Sequence, residues 1–303
     1  MIEDNPYWRP SKKEIISREA LLYFVWEREA IKIAKDNKYQ GVLTADPILS
    51  KYKFTNIRRK DDRVSKWIIK NIIEVECEQD LWFSLLIARL INWPPTLKYL
   101  IDENFLLHSA EKFDAVNFSN LIEQYRQTGA KAYSGAYMVY PTKKDVGAVK
   151  SLSIAKYIIS PSIKLNARIK SNLKQENSIE SFVEILSGCF GISTFIAGQV
   201  AADMTYLEAP LHSAKDLYSY APIGPGSSKG LNYLLGRSAY ASWKQEDFNK
   251  ELININDDIK TYLEIEDLTL HDVQNIMCEY SKYTRTILKE GTPKTMYKPE
   301  KEF

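Results

Sequence analysis

Apolar residues along the 303-residue chain recur mostly three and four positions apart, the period of helices buried on one face. The pattern is sharpest near the C-terminus. Val273, Ile276, Met277, Tyr280, Tyr283 and Ile287 form one stripe, opened by the cap Thr269-Leu-His-Asp272 and closed near Glu290 by Gly291 and Pro293. Glu279, Lys282 and Arg285 follow a ridge beside that stripe, either as a solvated ion-pair ridge or as a cluster that holds an anion. Near the N-terminus, Ser11-Lys-Lys-Glu14 after Pro10 is a capping box that predicts a helix to about Lys35, with Ile15, Leu22, Phe24, Val25 and Ile31 inward.

Between these ends the same signals predict further helices. Asp46-Pro47 marks a start, with Asp46 as cap and Pro47 at the first helical position. Tyr52 to Ser65 is too charged for a core and too dense for filler. Helices are expected from Trp67 to Glu76 and from Asp80 to about Asn92, the latter closed by Trp93-Pro94-Pro95. Others are expected over Phe105–Glu111, Ser119–Thr128, Asp145–Ile159 with a break at Ser160-Pro161, and Ser178–Leu186. Ser134 to Tyr140 is compatible with a short strand or an irregular segment.

The stretch from Ile185 to Met204 reads as a helical hairpin. Phe182, Ile185 and Leu186 run into a turn containing Gly188 and Gly191, and a second helix leaves with Ala197, Val200, Ala201 and Met204 on its buried stripe. A turn at a helix N-terminus offers backbone N–H donors to a phosphate. Gln199 and Asp203, four apart, share another face. Further on, Ala221-Pro-Ile-Gly-Pro-Gly-Ser-Ser-Lys-Gly-Leu231 is predicted irregular until about Ser228, as a connecting loop or a phosphate cradle built on Ser227, Ser228 and Lys229. It lacks the spacing of a Walker A loop, which argues against nucleotide hydrolysis.

Composition narrows the classes. With 45% hydrophobic and 26% charged residues the chain can bury a sizeable core, and a net charge of +2 confines any basic surface to local patches. Cys77, Cys189 and Cys278 lie far apart and only three histidines are present, so neither a zinc site nor a disulfide framework is expected and a reducing compartment fits. No apolar run reaches bilayer length, and the N-terminus has no signal-peptide pattern, so a cytoplasmic protein is expected.

Several of these stretches together resemble the α-glutamyl/putrescinyl thymine pyrophosphorylases, or amino acid:DNA transferases, a helical domain also associated with 5-hydroxymethyluracil DNA kinases. Phe54-Thr-Asn56 followed by Arg59, Asp62 and Arg63 matches the F-T-N-x-x-R-x-x-D-R signature. Asp46-Pro-Ile-Leu49, Arg89-Leu-Ile-Asn92, Gly135-Ala-Tyr137, the hairpin through Asp203, Gly224-Pro-Gly226 with Gly230-Leu231, and Cys278-Glu279 with Lys282 and Arg285 follow in the family's order, over roughly Tyr23 to Tyr297. The hairpin departs from the family's usual G-I-G-P-F-L-A at Ser193-Thr194, and Arg58 and Asp61 replace residues that are more often uncharged.

The resemblance implies an all-α, multi-helical fold similar to helix-hairpin-helix DNA glycosylases. It would span 1–303 as one helical domain or as two lobes around a DNA-binding cleft, with the hairpin element at 178–204. The implied activity replaces the pyrophosphate of 5-pyrophosphoryloxymethyl-deoxyuridine in double-stranded DNA with an amine from an amino acid or polyamine. Hypermodified thymines of this kind are best known from bacteriophage genomes, where the host cytoplasm would be the setting. The chemistry asks for base extrusion, a clamp on the DNA backbone, positive charge for the leaving group and a carboxylate to take the amine's proton. The expected proton acceptors are Asp203, Asp62 or Glu279. Pyrophosphate or substrate binding falls to Asn56, Arg59, Arg63, Gln199, Lys229, Lys282 and Arg285. DNA-backbone contacts fall to Gly188, Gly191, Ser193, Gly224, Gly226 and Ser227. Asn56 is also open to a turn-forming role. No organic cofactor is expected and Mg2+ is left open, while a separate 5-hydroxymethyluracil DNA kinase would act upstream. Two other functions fit the same residues: a DNA glycosylase that excises a modified base, or a non-catalytic DNA-binding module.

Overall fold

Side-chain caps decide where many of the helices begin. Ser17, Asp114, Ser178, Ser193 and Thr269 each accept a hydrogen bond from a first-turn N–H and so satisfy donors that have no intrahelical partner. The computed structural model describes residues 8–75, 80–106, 109–135 and 149–298. In chain order the helices are α1 (Arg18–Asp36), α2 (Arg63–Ile68), α3 (Leu81–Ile91), α4 (Pro94–Asp102), α5 (Ala115–Gln127), α6 (Lys150–Ile154), α7 (Ser160–Ser162) and α8 (Asn166–Ser171). They continue with α9 (Ile179–Ser187), α10 (Thr194–Asp203), α11 (Pro225–Leu234), α12 (Gln245–Leu263) and α13 (Leu270–Leu288). The described residues contain no strand, only an isolated antiparallel bridge between Tyr52 and Met296. No described helix is long and apolar enough to cross a membrane.

The chain divides into two compact units. The first joins the residues up to Asp62 with those from Tyr218 onward, and contains α1, α11, α12 and α13. Its core is aromatic at the centre: Phe24 packs on Phe54, Tyr280 and Tyr283 with ring centroids 5.2–5.8 Å apart. Leu21 and Val25 of α1 and Phe248, Leu252, Ile255 and Ile259 of α12 belong to the same core. The Tyr283 hydroxyl donates to Asp46 at 2.6 Å, and the other Asp46 oxygen accepts from the N–H groups of Ile48 and Leu49. Asp46 therefore caps, as expected, but the chain stops after a single turn because its carboxylate is anchored to α13.

α11 lies against α13 so closely that two of its residues can only be glycine. A Cβ on Gly226 would come 2.3 Å from Cys278 Sγ, and one on Gly230 would come 2.1 Å from the Met277 carbonyl oxygen. These glycines are packing residues inside a helix. The phosphate-cradle reading is overturned on that point: α11 starts at Pro225 with Gly224 as cap, not at Ser228. Ser227 is fully buried, and its hydroxyl donates to the Gly224 carbonyl at 3.1 Å.

The second unit runs from Arg63 to Leu217. α3 is apolar all round and buried from Trp82 to Ile91, with α10 packed against it and against α9. From Lys150 to Glu176 the chain stays helical through α6, α7 and α8 with π turns at Ala155–Ile159 and Asn172–Glu176. The predicted break at Ser160-Pro161 does not occur. The π turn widens the helix just ahead of Pro161, moving the carbonyls its ring would strike and absorbing its missing N–H.

Other boundaries differ for local reasons. α1 starts at Arg18 because Ser17 is the cap; Ser11 and Glu14 bond as a capping box would, around a separate turn. Pro94-Pro95 opens α4 instead of ending a helix, since proline fits the first helical positions. Over Phe105–Glu111 the described residues hold only a 3-10 turn, Ala110–Lys112. α5 begins at Ala115 under Asp114, before the expected Ser119. α12 had no counterpart among the expected helices. Ala136 to Tyr140, and with them part of the Gly135-Ala-Tyr137 match, lie outside the described residues.

The α11–α13 contact reverses the usual effect of a helical substitution. Ala at a helix interior ordinarily favours folding over Gly by about 1 kcal/mol. Gly230→Ala is expected instead to lower Tm, because overpacking costs about 1–3 kcal/mol. Thermal melts of the two proteins check this, and a raised Tm would mean that the helices can separate at no cost.

Candidate active site

Phe54, Thr55 and Asn56 belong to no helix or strand, so their main-chain groups need partners from elsewhere. Side chains supply all four for Thr55 and Asn56. Glu279 Oε2 accepts from Thr55 N at 3.1 Å, and Asp62 Oδ1 accepts from Asn56 N at 2.8 Å. Arg28 donates to the Thr55 carbonyl from Nε at 3.2 Å and Nη2 at 3.0 Å, and to that of Phe54 at 3.2 Å. Asn275 Nδ2 donates to the Asn56 carbonyl at 3.2 Å and to Thr55 Oγ1 at 3.0 Å. Asn56 spends its own amide N–H on the Asp61 carbonyl at 2.9 Å, which closes the loop around the 3-10 turn Arg59–Asp61. The turn-forming role of Asn56 is thus directly visible.

That turn is pinned to the start of α13. Asp272 Oδ2 completes the capping box with Thr269, while its Oδ1 accepts from Arg59 N at 2.8 Å. Burial raises the Asp272 pKa against the downward pull of these donors. Arg58, one of the departures from the family pattern, binds the Asp267 carboxylate at 2.7–2.9 Å and Glu29 of α1 at 2.7 Å. The Arg58 hydrogen bond holds the Asp267 carboxyl below its usual range. The second departure, Asp61, faces Lys32 at 3.5 Å.

These contacts gather charged groups on one side of α13. Glu279, almost fully buried, also pairs through Oε1 with Lys282. Burial acts to lower the Lys282 pKa, but Glu279 outweighs it and the net shift is upward, so the ammonium stays charged. Asp62 is pushed up to about 7 by desolvation and by the neighbouring Glu279, against the Asn56 N–H and the charges of Arg59 and Arg28. A carboxyl at that value exchanges its proton near neutral pH. The Cys278 thiol is pushed up to about 11 by burial and by Glu279, although Lys282, Arg59 and Arg285 all act on it in the opposite direction. It stays protonated and is no nucleophile at neutral pH. The Nε atom of Arg285 is buried and makes no hydrogen bond within the described residues. Among the described residues no group of three or more His, Cys, Asp or Glu side chains is placed to share a metal ion.

Of the expected site residues, the first unit therefore brings together Asn56, Arg59, Asp62, Glu279, Lys282 and Arg285. Lys229 lies elsewhere in its contacts, 4.5 Å over the ring of Tyr240. Gly224 caps α11, with the Gln274 side-chain amide 2.7 Å from where a Cβ would lie. Arg63 opens α2 in the second unit. Arg28 and Asn275 were missed. Their signals were a charge within the buried stripe of Phe24, Arg28 and Ile31, and a position one turn before Glu279 on the same ridge.

In the second unit Asp203 is 0% exposed, and both its oxygens are taken by Arg89, from Nε at 2.6 Å and Nη2 at 2.5 Å. Arg89 also donates to Ser65 at 3.1 Å and Asn92 at 3.3 Å, and Asn92 donates to Ser134 at 3.1 Å. A carboxylate so enclosed ties α10 to α3 and is not placed to take a proton from an incoming amine. Gln199 is buried on the same helix. In the α9–α10 turn Gly191 has φ +82°, and a Cβ there would meet Ile158 at 2.7 Å. Gly188 has an ordinary helical φ of −66°, and Ser193 caps α10 by accepting from Ile196 N.

The sequence matches the family described as "5-hmdU DNA kinase, helical domain" over residues 16–292. The chain belongs to that family. A relative named "5-hmdU DNA kinase", from Bacillus phage SP10, is 23% identical over 291 residues, covering 86% of this chain and 42% of the relative. The chain thus spans less than half the length of that relative. No solved structure matches the chain.

Two stability measurements follow. Asp203→Asn leaves the Arg89 charge buried without its counterion, a loss of about 3–5 kcal/mol. At roughly 2–4 °C per kcal/mol, Tm should fall on the order of 10 °C. Replacing both partners by apolar residues, Arg89→Met with Asp203→Leu, should recover much of the loss. Unchanged Tm in Asp203→Asn would return Asp203 to the reactive groups.

For Asp62 the folded pKa lies above the ordinary carboxylate value, so the native state holds a proton that the unfolded chain has already released. Its contribution to stability is complete below pH of about 4 and is lost as pH rises to about 7. Asp62→Asn removes that loss, so urea midpoints of variant and parent should separate in the variant's favour between those pH values. Parallel curves would place the Asp62 pKa in the normal range.

Proposed function

We propose that this chain transfers an amine onto a 5-pyrophosphoryloxymethyl-deoxyuridine in DNA, releasing pyrophosphate. The observation that carries the reading is that the Phe54–Asp62 loop sets Asp62 and Glu279 on the adjacent N–H groups of Asn56 and Thr55, with Arg59 close to Asp62 and Lys282 paired to Glu279. The amine nitrogen attacks the methylene carbon on C5 of the base, the bond from that carbon to the pyrophosphate oxygen breaks, and the electron pair leaves with pyrophosphate. The ammonium proton passes to the Asp62 carboxylate. Arg59, Lys282 and Arg285 stabilise the leaving anion, the group on which charge develops. Glu279 keeps Lys282 charged and holds the Thr55 main chain in place, a positioning role.

Family membership supports the substrate class. A kinase acting on 5-hydroxymethyl-deoxyuridine in DNA makes the kind of phosphorylated group that this reaction consumes. In this reading the α9–α10 turn, with Phe190 67% exposed at its tip and Ser193 opening α10, meets the DNA backbone as it does in helix-hairpin-helix proteins. Asp203, enclosed by Arg89, is not given the proton-accepting role in this reading.

Mass spectrometry of nucleosides from pyrophosphorylated DNA, treated with the protein and an amine mixture, tests this. A heavier thymidine is expected; an abasic product would show a glycosylase, and unchanged DNA a binding module. DNA with only 5-hydroxymethyluracil should be inert, since hydroxide is a poor leaving group. Turnover should rise with pH through about 7 as Asp62 ionises. Asp62→Asn should slow transfer by about 10²–10⁴-fold and remove that rise. An unaltered pH profile in Asp62→Asn would assign the base elsewhere.

A further inference from the structure

A second chemistry-bearing surface lies on the first unit, in the connection from α11 to α12. From Leu217 to Lys244 the chain contains no Asp or Glu, yet it carries Lys229, Arg237 and Lys244 and the aromatic residues Tyr218, Tyr220, Tyr233, Tyr240 and Trp243. The connection is built rigidly. Asn232, fully buried on α11, donates to the Ala241 carbonyl at 2.8 Å and to that of Ala239 at 3.4 Å, and accepts from the Trp243 indole N–H at 2.9 Å. Arg237 stacks 4.2 Å over the Trp243 ring and donates to the Ser242 carbonyl at 3.1 Å.

What this scaffold presents is Tyr240, 82% exposed, with the Lys229 ammonium 4.5 Å over its ring. Core packing does not account for so exposed an aromatic side chain, and the carbonyls on either side of it, of Ala239 and Ala241, are held by Asn232. An exposed aromatic ring with a cation over it, on a loop whose flanking carbonyls are held, is a stacking platform for a nucleobase with its phosphates. The groove beside Trp243, about 590 Å³, has a mixed lining, with Asp247 and Glu251 among Arg237, Lys244 and Lys250. The Lys229 side, which carries the cation over Tyr240, is the one suited to a strand.

We propose that Tyr240 stacks on an unpaired nucleotide of DNA while Lys229 and Arg237 contact the phosphates beside it. This assigns Lys229 to strand binding, away from the leaving group. The surface fits the proposed transfer, which needs the target base out of its helix, but the test does not depend on it: binding is read on unmodified DNA with no amine present.

The experiment is fluorescence anisotropy of the full chain with a labelled twelve-thymidine oligonucleotide and with a fully paired duplex of that length. Stacking is worth about 1–3 kcal/mol per base, so Tyr240→Ala should weaken single-strand binding about 5- to 150-fold, and Tyr240→Phe should keep it. Lys229→Ala and Arg237→Ala should each reduce the slope of log affinity against log salt by about 0.7 on single strands. Tyr262→Ala, at an equally open tyrosine on α12, should bind as the parent does. Parental affinity in Tyr240→Ala, an equal loss in Tyr262→Ala, or a loss confined to the paired duplex would each overturn the proposal. Failure of amine transfer with these results intact would count only against the catalytic reading.

Discussion

The first unit depends on how four main-chain groups of an irregular dipeptide are satisfied. Thr55 and Asn56 have no ladder to join, and leaving their N–H and C=O groups buried and unmet would cost about 1–3 kcal/mol each. Glu279, Arg28, Asp62 and Asn275 meet those groups, and three of the four are charged. The charges are thus structural before they are anything else. Holding the loop in place buries Asp62 beside Glu279, and that burial, reinforced by Glu279 and opposed by Arg59 and Arg28, is what raises its proton affinity.

The two ion systems of the protein illustrate different uses of burial. Arg89 and Asp203 neutralise each other completely, and every polar atom they offer points at another part of the second unit. Such a pair specifies how helices meet and has little left for a ligand. Around Cys278 the charges are not closed into one pair: Arg59, Lys282 and Arg285 lie near Glu279, and Arg59 also interacts with Asp62 and Asp272. A group of several cations and carboxyls can rearrange its pairing around a ligand, which the Arg89–Asp203 pair cannot.

Much of the helical content was legible from caps and spacing. Ser178 and Thr269 announced their helices, and the stripe of α13 is buried as its period requires. Glycine and proline misled in both directions. Gly226 and Gly230 look like loop residues, yet they serve a helix contact that composition cannot reveal, and Pro94 and Pro161 sit at positions where proline is tolerated. α12 was overlooked although Phe248, Leu252, Ile255 and Ile259 keep a helical period, because its polar face dominates the stretch. At the candidate site the ridge of Glu279, Lys282 and Arg285 and the signature from Phe54 to Asp62 were both readable. Their meeting was not, since it spans more than two hundred residues and runs through Arg28, a charge in a stripe otherwise apolar. The enclosure of Asp203 was not readable either, because its partner, Arg89, is remote in sequence.

The π turn at Ala155–Ile159 carries a consequence for how this chain can vary in length. A π turn holds one residue more than the α turn it replaces, so it shifts everything after it by about 100° around the helix axis. Ile169 and Asn172 are buried downstream of it. Removing a single residue there would restore regular hydrogen bonding locally while rotating the rest of the helical run, turning its apolar side toward water and Pro161 into its own preceding turn. Two residues removed from separate π turns would nearly double that rotation. The segment is therefore intolerant of small deletions, even though each would make its backbone more regular.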